Sequence, residues 1–341
     1  TAYRRQRQMC IRDRFDQKGR KEEKMKKFIT LLTAMLLSVV AMISFTKPVL
    51  ADDDTPVVTL GTSLTDAQKQ GTLKTLTAPL NGGNYQTITV TGSDLVKYLN
   101  PSGDNFTTSS GVWSSAMIQK TSSGSGINVK ILDYDGKNNI TTITANQYKN
   151  AALTAGISDA NIYVTSAIPI DGSGALAGVY AAYAKNGNAL NQKQVNAAQD
   201  EMNTLSGITQ DNKNKKGYSD AQLNNAVAGA KNEMAKQGQN ITDSQILDIV
   251  NNQININHLG DTINNNQKNQ IVNLLIEIRD SGALKDGNFK QQASKLSSQI
   301  QNGAKNIFNK FNTQENRNWL QNLWDQIVKF FSGLFGGVIL N

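Results

Sequence analysis

An α+β fold is predicted, with a mixed α/β domain at residues 55–187 followed by an all-helical domain at 188–312. Three observations predict it. Short β-branched runs are confined to the first part, one helix-capping pattern recurs through both, and after residue 188 amphipathic stretches with Asn- and Gln-filled polar faces replace the strand signals.

In chain order, the runs at 57–60, 85–90, 126–132 and 161–165 read as strands by their β-branched content. Thr65-Asp-Ala-Gln68, Thr144-Ala-Asn-Gln147, Ser219-Asp-Ala-Gln222 and Thr242-Asp-Ser-Gln245 read as capping boxes. In each the hydroxyl takes the N3 amide and the glutamine reaches back to the cap amide. Helical periods follow all four: Leu73 with Leu76, Tyr148 with Ala151 and Ala152, Leu223 with Val227, and Ile246 with Ile249 and Val250. The first part therefore reads β-α-β-α, a hairpin turning at Asp135-Gly136, then α-β-α. Five or six helices are expected beyond residue 188, with breaks at 211–217, 238–240, 258–260 and 281–287.

Residues 25–51 have the layout of a secretory signal. Lys26 and Lys27 form the positive region and 28–45 the uncharged apolar stretch, and Val49-Leu50-Ala51 is a small-residue site with cleavage expected between Ala51 and Asp52. Met25 then reads as the true start, and residues 1–24 as a leader translated from upstream or adaptor sequence. An uncleaved membrane anchor is the competing reading of 25–51, and a basic nucleic-acid arm that of 1–24. Secretion to the outer face of the cell envelope is the expected destination.

Setting 1–51 aside changes the electrostatics. That segment holds 12 of the 35 Lys and Arg and 4 of the 27 Asp and Glu, which leaves 23 of each in the mature chain. A neutral body lacks the charge footprint of a nucleic-acid binder. The one cysteine, Cys10, is in the leader, so a mature chain must be held by buried apolar area rather than disulfides. The lack of cysteine suits export from a Gram-positive cell. After Ala51 no run of eighteen apolar residues occurs.

Motifs for chemistry are few. Gly172-Ser-Gly174-Ala-Leu-Ala177 fits the G-x-G-x-x-A dinucleotide pattern, but no acid follows on a second strand, so it reads as a tight strand-to-helix turn with close packing. An anion at that helix start is the alternative. Asp133-Tyr-Asp135-Gly136 reads as a turn rather than a calcium loop, and Asp52 to Asp54 as a solvated tail. His258 is the one histidine, which leaves no histidine-cysteine dyad and little for zinc; it reads as a helix-end residue. No cofactor, metal or catalytic residue is assigned. Paired carboxylates are the chemistry the composition leaves open.

Residues 313–341 are the best candidate for a contact surface. Trp319, Leu323, Trp324, Ile327, Phe330, Phe331 and Phe335 recur near helical spacing, with Asn322, Asp325, Gln326 and Lys329 opposite. Such a helix fits either a membrane interface or a site on its own domain.

Several segments carry a resemblance: Leu60 to Gln68, Trp113 to Ile118, Gly124 to Val129, Asn139 to Thr144, Tyr148 to Ala152, Leu153 to Ala160 and Gly172 to Tyr183. In these, and in Asn240 to Arg279 with Ile249, Val250 and Asp261 in register, the chain resembles the secreted bacterial family known as domain of unknown function 1002; the stretch 188–239 matches less clearly. The resemblance implies an exported protein and supplies no catalytic residue. The function expected is that of a non-enzymatic envelope-binding or interaction protein with an unknown envelope component as partner and no nucleic acid. An envelope-polymer hydrolase using paired carboxylates and a protein docking on membrane surfaces are the alternatives.

Overall fold

A computed structural model describes residues 54–310, with side chains through residue 300. The signal segment, its cleavage site at Ala51 and Asp52, and the aromatic stretch 313–341 lie outside the described residues. The class is α+β. Five strands form one mixed sheet: β1 (Val57–Gly61), β2 (Gln86–Val90), β3 (Ser114–Lys120), β4 (Ile127–Ile131) and β5 (Ala160–Ser166). Among the described residues the α-helices are α1 (Asp66–Thr77), α2 (Gly92–Tyr98), α3 (Ala145–Thr154), α4 (Ser173–Lys185), α5 (Gln192–Asn212), α6 (Asp220–Gln237), α7 (Asp243–Ile256), α8 (Asn265–Asp280) and α9 (Gly287–Lys310).

The strand order is β2-β1-β3-β5-β4. The outer pairs, β1 with β2 and β4 with β5, are parallel, and β3 joins them antiparallel to both neighbours. Two of these features differ from the sequence expectation. β3 lacks β-branched residues over Ser114-Ser-Ala-Met117; it is a strand because it occupies the middle of the sheet, where packing on both faces decides β structure. The expected hairpin after Leu132 shrinks to a single bridge between Tyr134 and Lys137. Asp135 and Gly136 do make the tight turn, with φ of 48° and 77°. The chain then continues through α3, and β4 pairs in parallel with β5, an arrangement that requires such a crossover.

Alternate strand residues serve two layers. Val58, Leu60 and Met117 pack with Leu64 and Leu76 under α1. On the other face Val57, Ile118, Ile127, Ile162 and Val164 enter the main core, shared with α3, α4 and all five later helices. That core runs from Val57 to Ile300 without a break at residue 188, where strands give way to helices.

The cap pattern places the helices. Thr65, Thr144 and Thr242 close complete capping boxes with Gln68, Gln147 and Gln245. The fourth is half closed: Ser219 accepts from the Gln222 amide at 3.3 Å, but the Gln222 side chain donates to the Asn257 carbonyl at 3.0 Å. It thereby satisfies a carbonyl at the end of α7 that the helix leaves open. Asn264 with Gln267 forms a further box that a search for Ser and Thr caps passes over.

Candidate functional site

Among the described residues, the motifs singled out in the sequence lie on separate elements, His258 at the end of α7 and the glycine pattern at the start of α4. His258 ends α7 in the left-handed region, φ 51°, with its amide bonded to the Asn255 carbonyl at 3.1 Å and Leu259 N to Ile254 O at 2.9 Å. This is the helix-end role the sequence suggested. At the glycine pattern, Gly172 has φ 113° and its carbonyl accepts from the buried Tyr148 hydroxyl at 2.8 Å. A Cβ on Gly174 would stand 2.8 Å from Val112 Cγ1 and 2.9 Å from Ser114 Oγ. Two of the first three amides of α4 are occupied by the chain itself, Ser173 N by Asp171 at 3.1 Å and Ala175 N by Ser114 Oγ at 2.8 Å. Close helix packing explains the glycines.

The chemistry-bearing side chains gather instead where α3, α5 and α6 meet. Lys231 and Glu201 form an ion pair at 2.8 Å with both side chains fully buried. Each polar atom is engaged. Lys231 Nζ also donates to the Asn150 carbonyl at 2.9 Å and to Thr154 Oγ1 at 3.2 Å, and Thr154 donates to the second Glu201 oxygen at 2.6 Å. Burial pushes the Lys231 ammonium below its ordinary range, against the pull of Glu201. The buried phenol of Tyr180 is held well above its usual range by burial and by the Glu201 charge. Three donors on Lys231 meet three acceptors, the condition under which a buried ion pair is tolerated.

A second hub lies about three helical turns away along the same helix, at the start of α6. Asp220 accepts from Thr144 at 2.9 Å, from the Gln147 side chain at 3.3 Å and from Asn224 at 2.9 Å. Burial raises its carboxyl, and the bonds from Thr144 and Asn224 oppose the rise. Asn150 links the hubs by donating to Asn224 Oδ1 at 3.0 Å while its own carbonyl holds Lys231. Both hubs join α3, the crossover of the α/β part, to the helical part.

A half-buried carboxyl pair lies on another face. Glu277 on α8 is hydrogen-bonded to Asp200 on α5, and burial, then that bond and the Asp200 charge, push Glu277 up to about 7. One proton must be shared, since two carboxylates cannot donate to each other. The folded value lies above the ordinary 4.5, so the protonated pair stabilises the fold fully below pH 4.5 and loses that contribution as pH rises through about 7. Glu277→Gln is therefore expected to flatten the fall in melting temperature between pH 5 and 8. Equal slopes in variant and wild type would refute the shared proton.

The family described as "Protein of unknown function (DUF1002)" matches residues 60–296, more than half of the chain. The chain belongs to the DUF1002 family. "Uncharacterized protein YpuA" of Bacillus subtilis (strain 168) is 32% identical over 209 residues, 61% of this chain and 66% of that protein. The match thus spans just under two thirds of that relative's length. No solved structure matches the chain.

The DUF1002 match encloses every member of both hubs and of the carboxyl pair. None of them stood out as a site in the sequence, yet a signal for the ion pair is there. Lys231 continues the apolar stripe Leu223–Val227 at four-residue spacing, and Glu201 lies between Ala197 and Leu205 in the same way. A charge on each of two apolar stripes signals two ions that need each other. The Asp200–Glu277 pair has no such signal, because 76 intervening positions fold back to create it.

Proposed function

We propose that this DUF1002 chain is an exported, non-enzymatic protein of a Gram-positive cell envelope, in which the α+β body presents residues 313–341 to an envelope component. The observation that carries this reading is the secretory layout of 25–51 ahead of a body whose strongest polar groups bond one another: Lys231, Glu201 and Thr154 are sealed from solvent. Groups so engaged serve packing, which leaves recognition to surface and terminal segments. Trp319, Trp324, Phe330 and Phe331 supply the large apolar side chains that recognition surfaces favour.

Capture from the envelope fraction by the chain from Asp52 is expected to fall when 313–341 are removed. In parallel, flotation with anionic and neutral liposomes separates a lipid surface from a polymer or protein partner. Undiminished capture without 313–341 would reject the contact segment.

The competing reading is a hydrolase of envelope polymers acting through paired carboxylates, for which Asp200 and Glu277 are the candidate pair. Hydrogen-bonded carboxyls stand closer than the roughly 5 Å that retaining glycosidases require, and closer still than the gap of inverting enzymes. The geometry therefore counts against glycoside cleavage. Release of soluble fragments from cell walls, lost in Glu277→Gln, would restore the enzymatic reading.

A further inference from the structure

The two edges of the sheet are treated differently. β4 has Lys130 on its exposed side, and α9 reaches its start, with Gln299 Nε2 bonded to Asn128 Oδ1 at 3.2 Å and Lys295 against Gly126. Charge and cover of this kind protect an edge from added strands. β2 has neither. Residues 81–93 contain no charged side chain and no proline, and Thr87 and Thr89 are exposed.

The ladder shows which groups are free. Gln86 N bonds Pro56 O and Thr62 N bonds Val90 O, so residues 86, 88 and 90 face β1. Thr87 and Thr89 then point their N–H and C=O groups away from the sheet, and these have no bonded partner among the described residues. Tyr85, immediately before the strand, is 41% exposed, one of two large hydrophobic side chains so exposed among the described residues.

We propose that β2 is a self-association edge that pairs antiparallel with β2 of a second copy of this chain. The occupant follows from charge and symmetry. An edge with no charge meets its own copy without repulsion, and a two-fold axis makes two copies of one strand antiparallel. Centred on Thr87, the register places Thr87 opposite Thr87 and Tyr85 opposite Thr89, a cross-strand pairing of aromatic with β-branched residue. The outward amides and carbonyls then join the two five-stranded sheets into one ten-stranded sheet across the axis. A five-residue edge is about 17 Å long and buries less than the roughly 1,000 Å² of a stable interface, so the dimer is weak and concentration-dependent.

Cysteine trapping tests this, since the chain from Asp52 holds no thiol of its own. A hydrogen-bonded antiparallel pair sets its Cα atoms about 5.5 Å apart, within disulfide reach. Thr87→Cys is expected to form a disulfide-linked dimer in a glutathione redox buffer, whereas Asp248→Cys, exposed on α7, stays monomeric. Adding Thr89→Pro to Thr87→Cys is expected to abolish the dimer, because it removes an outward N–H that the sheet itself does not use. Far-UV circular dichroism checks that the proline variant stays folded, and Thr89→Lys gives a second way to block the edge if it does not. Equal trapping at positions 87 and 248, trapping that survives a folded edge-blocked variant, or a monomer mass for the wild type at every concentration in sedimentation equilibrium would overturn the proposal.

Discussion

Lys231→Met alone is expected to destabilise the chain from Asp52 by about 3–5 kcal/mol in urea unfolding, the cost of stranding a buried partner charge. The reason is local. Glu201 has no solvent exposure, and Lys231 supplies both its charge partner and one of its two hydrogen bonds; the other comes from Thr154. Lys231→Met combined with Glu201→Leu is expected to recover most of that loss, because methionine and leucine fill the same volume and the stripes to either side are already apolar. The Asn150 carbonyl loses its bond to Lys231 in both variants, so the difference between them isolates the stranded carboxylate. A single-variant cost under about 1 kcal/mol would show that water reaches the pair, as it does for surface ion pairs.

Gly172→Ala is expected to cost about 2–5 kcal/mol, combining backbone strain with overpacking. Its φ of 113° lies where side chains are disfavoured, and a Cβ would fall within the radius of the Tyr148 hydroxyl that bonds the Gly172 carbonyl. Gly174→Ala adds contacts at 2.8 and 2.9 Å without the positive φ, so a smaller loss is expected there. Both losses should appear in thermal unfolding with no nucleotide present and be unchanged by adding one. Rescue of either variant by a dinucleotide would return the pattern to the fingerprint reading that its packing displaced.

Much of the secondary structure was legible because its signals are local. Thr65, Thr144 and Thr242 each have a partner three residues on, and breaks expected near 211–217, 238–240, 258–260 and 281–287 fall between α5, α6, α7, α8 and α9. β3 was not legible as a strand, since Ser114, Ser115 and Ala116 have little strand preference and owe their conformation to Thr59, Val164 and Thr165 on both sides. The hairpin expectation failed for a related reason. A turn signal at Asp135-Gly136 fixes the turn but cannot say whether the strands flanking it will pair with each other or with a strand thirty residues on.

By itself the sequence determined the α+β class, the resemblance to the DUF1002 family, the neutrality of the chain after Ala51, and the lack of thiols there. Those properties are sums over composition or patterns within a few residues, and folding does not alter them. The tertiary structure decided which polar residues meet: Lys231 with Glu201 across 30 positions, Glu277 with Asp200, and Asp220 with Thr144. It also decided that α9 reaches the edge at β4, and that β2 pairs on one side only among the described residues. Burial, ion pairing and edge exposure are properties of neighbours brought together by packing, and packing of distant segments is the part of the physics that no local window contains.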